Sequence, residues 1–242
     1  MNLLIDMGNT RLKWAVLDNN GLSGSQAIMN QALSTETLVA SWQALPRPES
    51  VKVSCVGQPA LLALVATVAA QLWPGLVCES VRACANAYGV QNAYTQPEKL
   101  GVDRWLALLA VHHHYPGPAC MVDCGTAITV DVLAGGIHLG GMISPGLMLM
   151  KQALAAGTQA LAISDTTAAL RLAQHTEAAI YSGTLSAAVG LVKQVLSQQP
   201  TPLALVLTGG DAELIAQQLD IERVVDSDLV LRGLAVLVGQ SR

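Results

Sequence analysis

The chain contains no phenylalanine at all, and we have no physical account of that absence. Charge is scarce too, at 12% of residues against 52% hydrophobic. That balance excludes a disordered or surface-coating chain, since such chains carry too little apolar surface to bury. The net charge is −4 and no run of basic residues occurs. Nucleic acid is thereby excluded as the main partner, because nothing is present to neutralise its phosphates. A membrane-spanning helix needs about 20 mainly apolar residues in succession. The best candidate by eye, Leu61–Trp73, is shorter and is interrupted by Thr67 and Gln71, so no membrane partner is expected. The N-terminus has no basic region leading into an apolar run and a cleavage site, and Asp6 would sit inside one, so no signal peptide is expected. Cys55, Cys78, Cys84, Cys120 and Cys124 are odd in number and form no CxxC pair. This fits reduced thiols in a cytosolic protein better than a disulfide frame or a zinc site.

What is present starts with length. With 242 residues the chain can form one large domain or two small ones, each with a proper core. The apolar excess suggests that part of the surface is buried against another subunit. Met121–Asp131 reads Met-Val-Asp-Cys-Gly-Thr-Ala-Ile-Thr-Val-Asp, a buried strand ending in a carboxylate and then a glycine turn. Such a turn lets the backbone approach a ligand, and free N–H groups within it suit an anion. The same pattern opens the chain, where Leu3-Leu4-Ile5 runs into Asp6, Gly8, Asn9 and Thr10. The two aspartates stand close to half the chain apart, the mark of an internal duplication. Pro116-Gly117-Pro118 is the best break, giving halves 1–116 and 117–242.

Each half reads alike. Strands at Asn2–Ile5, Arg11–Leu17 and Ser25–Met29 form a meander, followed by helices at Thr35–Leu45 and Pro59–Trp73 and strands at Val51–Val56 and Leu76–Val81. Thr35 is the expected cap of the first helix. Ala83–Pro97 reads as a long loop, which in a compact α/β chain is usually functional. An apolar helix covers Leu106–His113. The second half offers strands at Ala119–Val122, Ala127–Leu133, Ile137–Met142, Leu203–Leu207 and Val224–Val225. Its helices are expected at Leu147–Ala156, Ala212–Leu219, Leu229–Val238 and Thr176–Leu196, the last broken in places by Gly183 and Gly190. The fold class expected is α/β.

One Asp-x-Gly turn alone is an ordinary strand end. Two of them at half-chain spacing, with Thr208-Gly209-Gly210 as a third close-approach turn, point to a nucleotide site. Asp103 and Arg104 admit two readings, a helix-start pair or a base beside an anion-binding guanidinium. His112-His113-His114 is no metal site, because consecutive helical residues point in different directions. Cys124 reads as a packing residue rather than a nucleophile. Trp14, Trp42, Trp73 and Trp105 read as core or interface residues.

Four motifs, in this order and spacing, carry a resemblance. They are Asp6-Met-Gly-Asn-Thr10, Gly101-Val-Asp-Arg104, Asp123-Cys-Gly-Thr-Ala-Ile-Thr129 and Gly140-Gly-Met-Ile-Ser-Pro-Gly146. Together they resemble type III pantothenate kinase, of the actin-like, sugar-kinase and heat-shock ATPase superfamily, over nearly the whole chain. The resemblance implies a duplicated ribonuclease-H-like (actin-like ATPase) fold with two half-domains around a nucleotide cleft. It implies phosphorylation of pantothenate by ATP to 4′-phosphopantothenate, the first step to coenzyme A. It further implies a homodimer using magnesium and a monovalent cation, potassium or ammonium.

Site residues follow from the same resemblance. Asp103 matches the general base. Tyr94, Gly101, Val102, Asp103, Arg104 and Thr176 match substrate contacts, although a packed loop tyrosine and a helix N-cap stay open for Tyr94 and Thr176. The stretch Asp6, Met7, Gly8, Asn9, Thr10, Arg11, Leu12 and Lys13 matches the ATP site, joined by Thr126. Asp6 would hold magnesium through water, and Asp123 the monovalent cation. Two alternatives remain: a non-catalytic regulatory or accessory protein of the same fold, and another actin-like small-molecule kinase.

Overall fold

The computed structural model describes the chain except for residues 58, 159–160, 162–166 and 240–242. It divides into two units: Met1–Pro116 with Gly136–His138 and Asp228–Arg242, and Gly117–Gly135 with Leu139–Ser227.

The first unit carries strands β1 (Asn2–Met7), β2 (Arg11–Asp18), β3 (Gly21–Met29), β4 (Ser50–Cys55) and β5 (Cys78–Ser80) in one sheet, ordered β3-β2-β1-β4-β5. The β1–β2 and β2–β3 pairs are antiparallel, and β4 and β5 add in parallel. Period-2 alternation sends Leu3, Ile5 and Met7 to one face, where they meet Leu12, Trp14, Val51 and Val53. Helices α1 (Thr35–Trp42) and α2 (Pro59–Leu72) cover that face with Leu38, Trp42, Val65, Val68 and Ala69. Trp42 sits edge-on to Trp14 at 6.1 Å and stacks on Trp73 at 6.3 Å between ring centroids. All four tryptophans are buried.

Ser34, not Thr35, caps α1: its hydroxyl accepts the Thr37 N–H, and the Thr37 hydroxyl accepts the Ser34 N–H in return. The segment expected as a loop at Ala83–Pro97 contains a small hairpin, β6 (Asn86–Ala87) and β7 (Val90–Gln91). It turns on Tyr88 and Gly89, both at positive φ, a two-residue turn whose twist suits antiparallel strands. Helix α3 (Val102–His114) begins four residues before its expected start, so Asp103 lies in its first turn. It packs against α7 (Leu229–Gly239), where a side chain at Gly233 would meet the Leu106 carbonyl oxygen at 2.1 Å.

In the second unit, β8 (Ala119–Cys124), β9 (Ala127–Ala134), β10 (Ile137–Pro145), β11 (Ala204–Thr208) and β12 (Arg223–Val225) are ordered β10-β9-β8-β11-β12. This repeats the order of the first sheet: β8 pairs antiparallel with β9 and parallel with β11, and β12 adds in parallel to β11. The first three residues of the β10 region, Gly136–His138, cluster with the first unit, where Ile137 pairs with Gln91.

Cys120, Val122 and Cys124 face a core built with Ile128, Val130, Leu205 and Leu207. Helices α4 (Leu147–Gly157), α5 (Thr176–Ser197) and α6 (Ala212–Ala216) complete this unit. Helix α5 runs without the breaks expected at Gly183 and Gly190. It is also the one helix among the described residues that is long and apolar enough to cross a membrane, a candidate that inspection of Leu61–Trp73 had overlooked. Packing accounts for its character. Tyr181, Leu185, Ala188, Val189, Val192 and Val195 form a stripe at helical spacing, buried in the core of this unit.

Candidate active site

The alternation that buries Leu3, Ile5 and Met7 under α1 and α2 turns Leu4 and Asp6 to the opposite face of the first sheet. On β4 the same rule puts Ser54 on that face, directly across from Asp6 in the parallel register. On β2 it puts Arg11 and Lys13 there, with Lys13 opposite Asp6. A carboxylate, a hydroxyl and two cations are thus gathered by strand geometry alone.

Burial pushes Asp6 from 3.8 up to about 6. The nearby Ser54 hydroxyl offsets part of this, the Asp103 carboxylate adds to it, and Lys13 and Arg11 pull against it. Neither Asp6 Oδ1 nor Ser54 Oγ completes a hydrogen bond of proper geometry, and both atoms are buried. An unsatisfied buried carboxylate oxygen is costly, and it suits a hydrated cation or its waters. Among the described residues, no three His, Cys, Asp or Glu side chains gather into a metal cage.

The Gly8–Thr10 turn differs from expectation in one respect. The Gly8 N–H is not free for an anion, because it donates to the Arg11 carbonyl at 3.1 Å. Gly125 does the same, donating to Ala127 at 3.1 Å. Neither glycine has positive φ. These glycines therefore close their own hairpins. Asn30 pins the first turn from outside, its amide donating to the Gly8 and Asn9 carbonyls at 2.9 Å each. Met7 and Leu12 are wholly buried in the tryptophan core, so any part they take in binding is through their backbone.

At the start of α3, Asp103 Oδ1 accepts the Arg104 N–H at 2.8 Å. The helix-start reading of this pair is therefore realised, and it leaves the chemical reading intact. A side chain at Gly101 would lie 2.5 Å from Asp103 Oδ1, so glycine there makes room for that carboxylate. Arg104 is buried, and its Nη1 donates to the Tyr94 hydroxyl at 2.7 Å. Tyr94 is held in turn by Asn92, whose Oδ1 accepts the Tyr94 N–H at 3.0 Å. The Asn92 amide donates to the Cys84 and Pro97 carbonyls. The structure thus joins Asp6, Arg11, Lys13 and Asp103 electrostatically, and ties Tyr94 to Arg104.

The second unit repeats the Asp-hydroxyl pairing, with Asp123 across from Thr208 on β11. Gly209, at φ +95°, could not carry a side chain, since a Cβ would lie 2.5 Å from both Asp123 Oδ1 and the Cys124 carbonyl carbon. The Asp211 N–H donates to the Cys124 carbonyl at 3.0 Å, and the Gly146 N–H to the Thr126 carbonyl at 2.9 Å. A Cβ at Gly146 would meet the Gly125 carbonyl oxygen at 2.3 Å. The motif around Pro145 therefore braces the Thr126 turn. Burial raises the Cys124 thiol far above its ordinary value, with Asp123 and Asp211 adding to it, so the thiol is inert. Thr176 is exposed in the first turn of α5, and the residue that caps this helix is His175.

Three supporting residues escaped the sequence: Ser54, Asn30 and His138. Ser54 was accessible in principle, as the one polar residue opposite Asp6 once the strands are paired. Asn30 follows β3 with no local signal. His138 stands in an apolar stretch remote in sequence from Ala93 and Tyr94, against which it lies.

Two sheets that share one five-strand order, the second extended past β10 by β7 and β6, each with a carboxylate on the strand where the order turns, define a duplicated ribonuclease-H-like chain of the actin-like ATPase class. Solved structures agree on the fold. A protein from Campylobacter jejuni described as a conserved Baf-family transcriptional activator is 21% identical, with a TM-score of 0.64 and coverage of 99% of this chain and 98% of that one. A Sinorhizobium meliloti protein described as a candidate 2-dehydro-3-deoxygalactonokinase is 15% identical, with a TM-score of 0.60 over 100% and 99% of the two chains. The model of the type III pantothenate kinase family matches residues 2–198. Type III pantothenate kinases of Nitrosococcus oceani and Halorhodospira halophila are each 40% identical, both over 97% of this chain, and over 92% and 96% of their own lengths. The chain belongs to the type III pantothenate kinase family.

Proposed function

We propose that this chain transfers the terminal phosphoryl group of ATP to the hydroxyl of pantothenate, yielding 4′-phosphopantothenate at the start of coenzyme A biosynthesis. The observation that carries the reading is the face of the first sheet where Asp6, Ser54, Arg11 and Lys13 converge, with the Asp103 charge felt at Asp6, in a chain related along nearly its whole length to proteins of that name.

Phosphoryl transfer asks the protein for positioning and charge stabilisation more than for covalent chemistry. Asp103 orients the attacking hydroxyl and accepts its proton late, as a carboxylate is a weak base toward an alcohol. Arg104 takes the pantothenate carboxylate, for which its fork is shaped, and Tyr94, Gly101, Val102 and Thr176 complete the substrate contacts. The Asp6–Lys13 turn and Thr126 take the ATP phosphates. Asp6 would hold magnesium through water, and the ion would supply positive charge against that of the phosphoryl group. Asp123 holds a monovalent cation, potassium or ammonium. The protein acts in the cytosol as a homodimer. The dimer is supported by large apolar side chains left exposed on two successive elements, Leu139, Met142 and Ile143 on β10 and Met148, Leu149 and Leu154 on α4.

The deciding experiment is a phosphorylation assay with purified protein, ATP, magnesium and potassium, in parallel on pantothenate and on a panel of sugars and sugar acids. Phosphopantothenate is the expected product. Preferential turnover of a sugar, or no turnover of anything, sinks the reading in favour of another small-molecule kinase or a regulatory protein respectively.

A further inference from the structure

Beyond the residues already given roles, the first unit holds a buried histidine that none of the proposed chemistry uses. His138 is 1% exposed. Its ring lies 6.2 Å from that of Tyr94, at an interplanar angle of 17°, close to parallel and in the range of offset stacking. The Ala93 N–H points at His138 Nδ1, 3.4 Å away. That contact is long, with the ring nitrogen facing a backbone donor. His138 thus engages the Tyr94 segment twice, through the ring face and through the backbone immediately before it.

The other side of Tyr94 faces function. Its hydroxyl accepts from Arg104 Nη1 at 2.7 Å, and the Arg104 Cζ lies 5.5 Å from the ring centroid. A phenol rotates about χ2 and swings on χ1, so one hydrogen bond at its tip does not fix the plane of the ring. Stacking on a buried ring does. Once the plane is fixed, the hydroxyl stands in one place, and a guanidinium bonded to it keeps one orientation of its remaining donors. The path runs from His138 to Tyr94 to Arg104, and each step is a contact between named atoms.

We infer that His138 is a positioning residue for the acceptor substrate, setting the plane of Tyr94 and through it the aim of Arg104. This inference rests on the pantothenate kinase reading for the identity of that acceptor. It does not need that reading for the structural claim that His138 orients Tyr94. The effect belongs to acceptor binding, because neither His138 nor Tyr94 is assigned to ATP.

Three variants separate ring, acceptor atom and bulk. His138→Phe keeps a flat ring and loses Nδ1, His138→Asn keeps a polar acceptor and loses the ring, and His138→Ala loses both. Steady-state kinetics are read for pantothenate and ATP separately, with thermal melting as a control. The expected result for His138→Ala is a rise of about tenfold in the KM for pantothenate, the size of one lost oriented polar contact, with the KM for ATP held within about twofold. His138→Phe restores most of the loss and His138→Asn restores little. Equal rises in both KM values, or full recovery in His138→Asn with none in His138→Phe, overturn the stacking role.

A second readout needs no substrate. In protein carrying 13C-labelled tyrosine, the Tyr94 ring signals, assigned with Tyr94→Phe, are shifted by the ring current of the stacked imidazole. Replacing His138 by Ala moves them toward unstacked positions, whereas replacing it by Phe keeps them shifted. Unmoved signals in His138→Ala overturn the inference whatever the enzyme does. If wild-type protein leaves pantothenate untouched while the signals move as described, the functional reading fails and the positioning of Tyr94 stands.

Discussion

Asp6 and Ser54 face each other across the parallel β1–β4 pair, with Asp6 Oδ1 and Ser54 Oγ both buried and neither completing a hydrogen bond. The carboxyl is held at about 6, above its ordinary 3.8, first by burial. The folded chain therefore binds this proton more tightly than the unfolded chain does. The stability it contributes is complete below about pH 4 and is lost as the pH rises through about 6.

This relation gives the first prediction. Asp6→Asn keeps the shape and removes the charge, so it stabilises the metal-free protein by about 3 kcal/mol at pH 8 and by almost nothing at pH 4. Denaturant midpoints of the two proteins at both pH values provide the test, and a gap that does not change with pH counts against it. Magnesium should raise the melting temperature of the wild type at pH 8 and leave the Asn variant unmoved.

Asp103 acts on Asp6 at a distance as well as on substrate. Asp103→Asn should cut turnover by about a hundredfold to ten-thousandfold, the worth of a positioned base, while ATP affinity is retained. Because the Asp103 charge raises Asp6, the Asp6 carboxyl should titrate at lower pH in this variant. Carboxyl 13C NMR against pH reads that shift, and normal turnover would remove Asp103 as the base.

Two glycines separate local chemistry from fold stability. Gly101 has ordinary extended dihedrals, and its missing Cβ would strike only the Asp103 carboxylate. Gly101→Ala should therefore lower kcat by about tenfold with little change in melting, since a side chain gives way more readily than backbone. Gly209 is at φ +95°, and its missing Cβ would strike the Cys124 backbone. Gly209→Ala should destabilise by about 2–3 kcal/mol, combining strain with forced backbone movement. A melting temperature lowered equally in both variants would refute the distinction.

The exposed side chains of Leu139 and Ile143 should be covered in the assembled protein. Leu139→Lys with Ile143→Lys should convert the protein to monomer in sedimentation velocity, because two charges would be buried without partners. A dimer that persists unchanged would place the interface elsewhere.

The duplication was legible because it rests on short-range patterns. An apolar run, an aspartate and a glycine two places later were enough to find Asp6 and Asp123 and to expect a strand leading into each. The reason for each glycine was not legible. Sequence suggests a close backbone approach to a ligand with free N–H groups at Gly8 and Gly125, whereas the structure uses both N–H groups to close hairpins. Continuity of α5 through Gly183 and Gly190 was missed because propensity is a weak prior that a buried stripe of Leu and Val overrides. His138 was missed for another reason. Its partners Ala93 and Tyr94 are far away in sequence, and no periodicity encodes a contact between a hairpin loop and the start of a distant strand.

The close approach of Gly233 to Leu106 also bears on how the protein is made. Helix α7 follows the whole of the second unit in sequence, yet it packs on α3 within the unit that begins at Met1. A nascent chain that has just passed Pro116 lacks this helix, so the face of α3 around Leu106 stays uncovered until α7 has been made, although the sheet core under α1 and α2 is already complete in sequence. Bulk placed on the α7 face that receives Leu106 would fall on the unit that carries Asp6 and Asp103, from a position far along the chain.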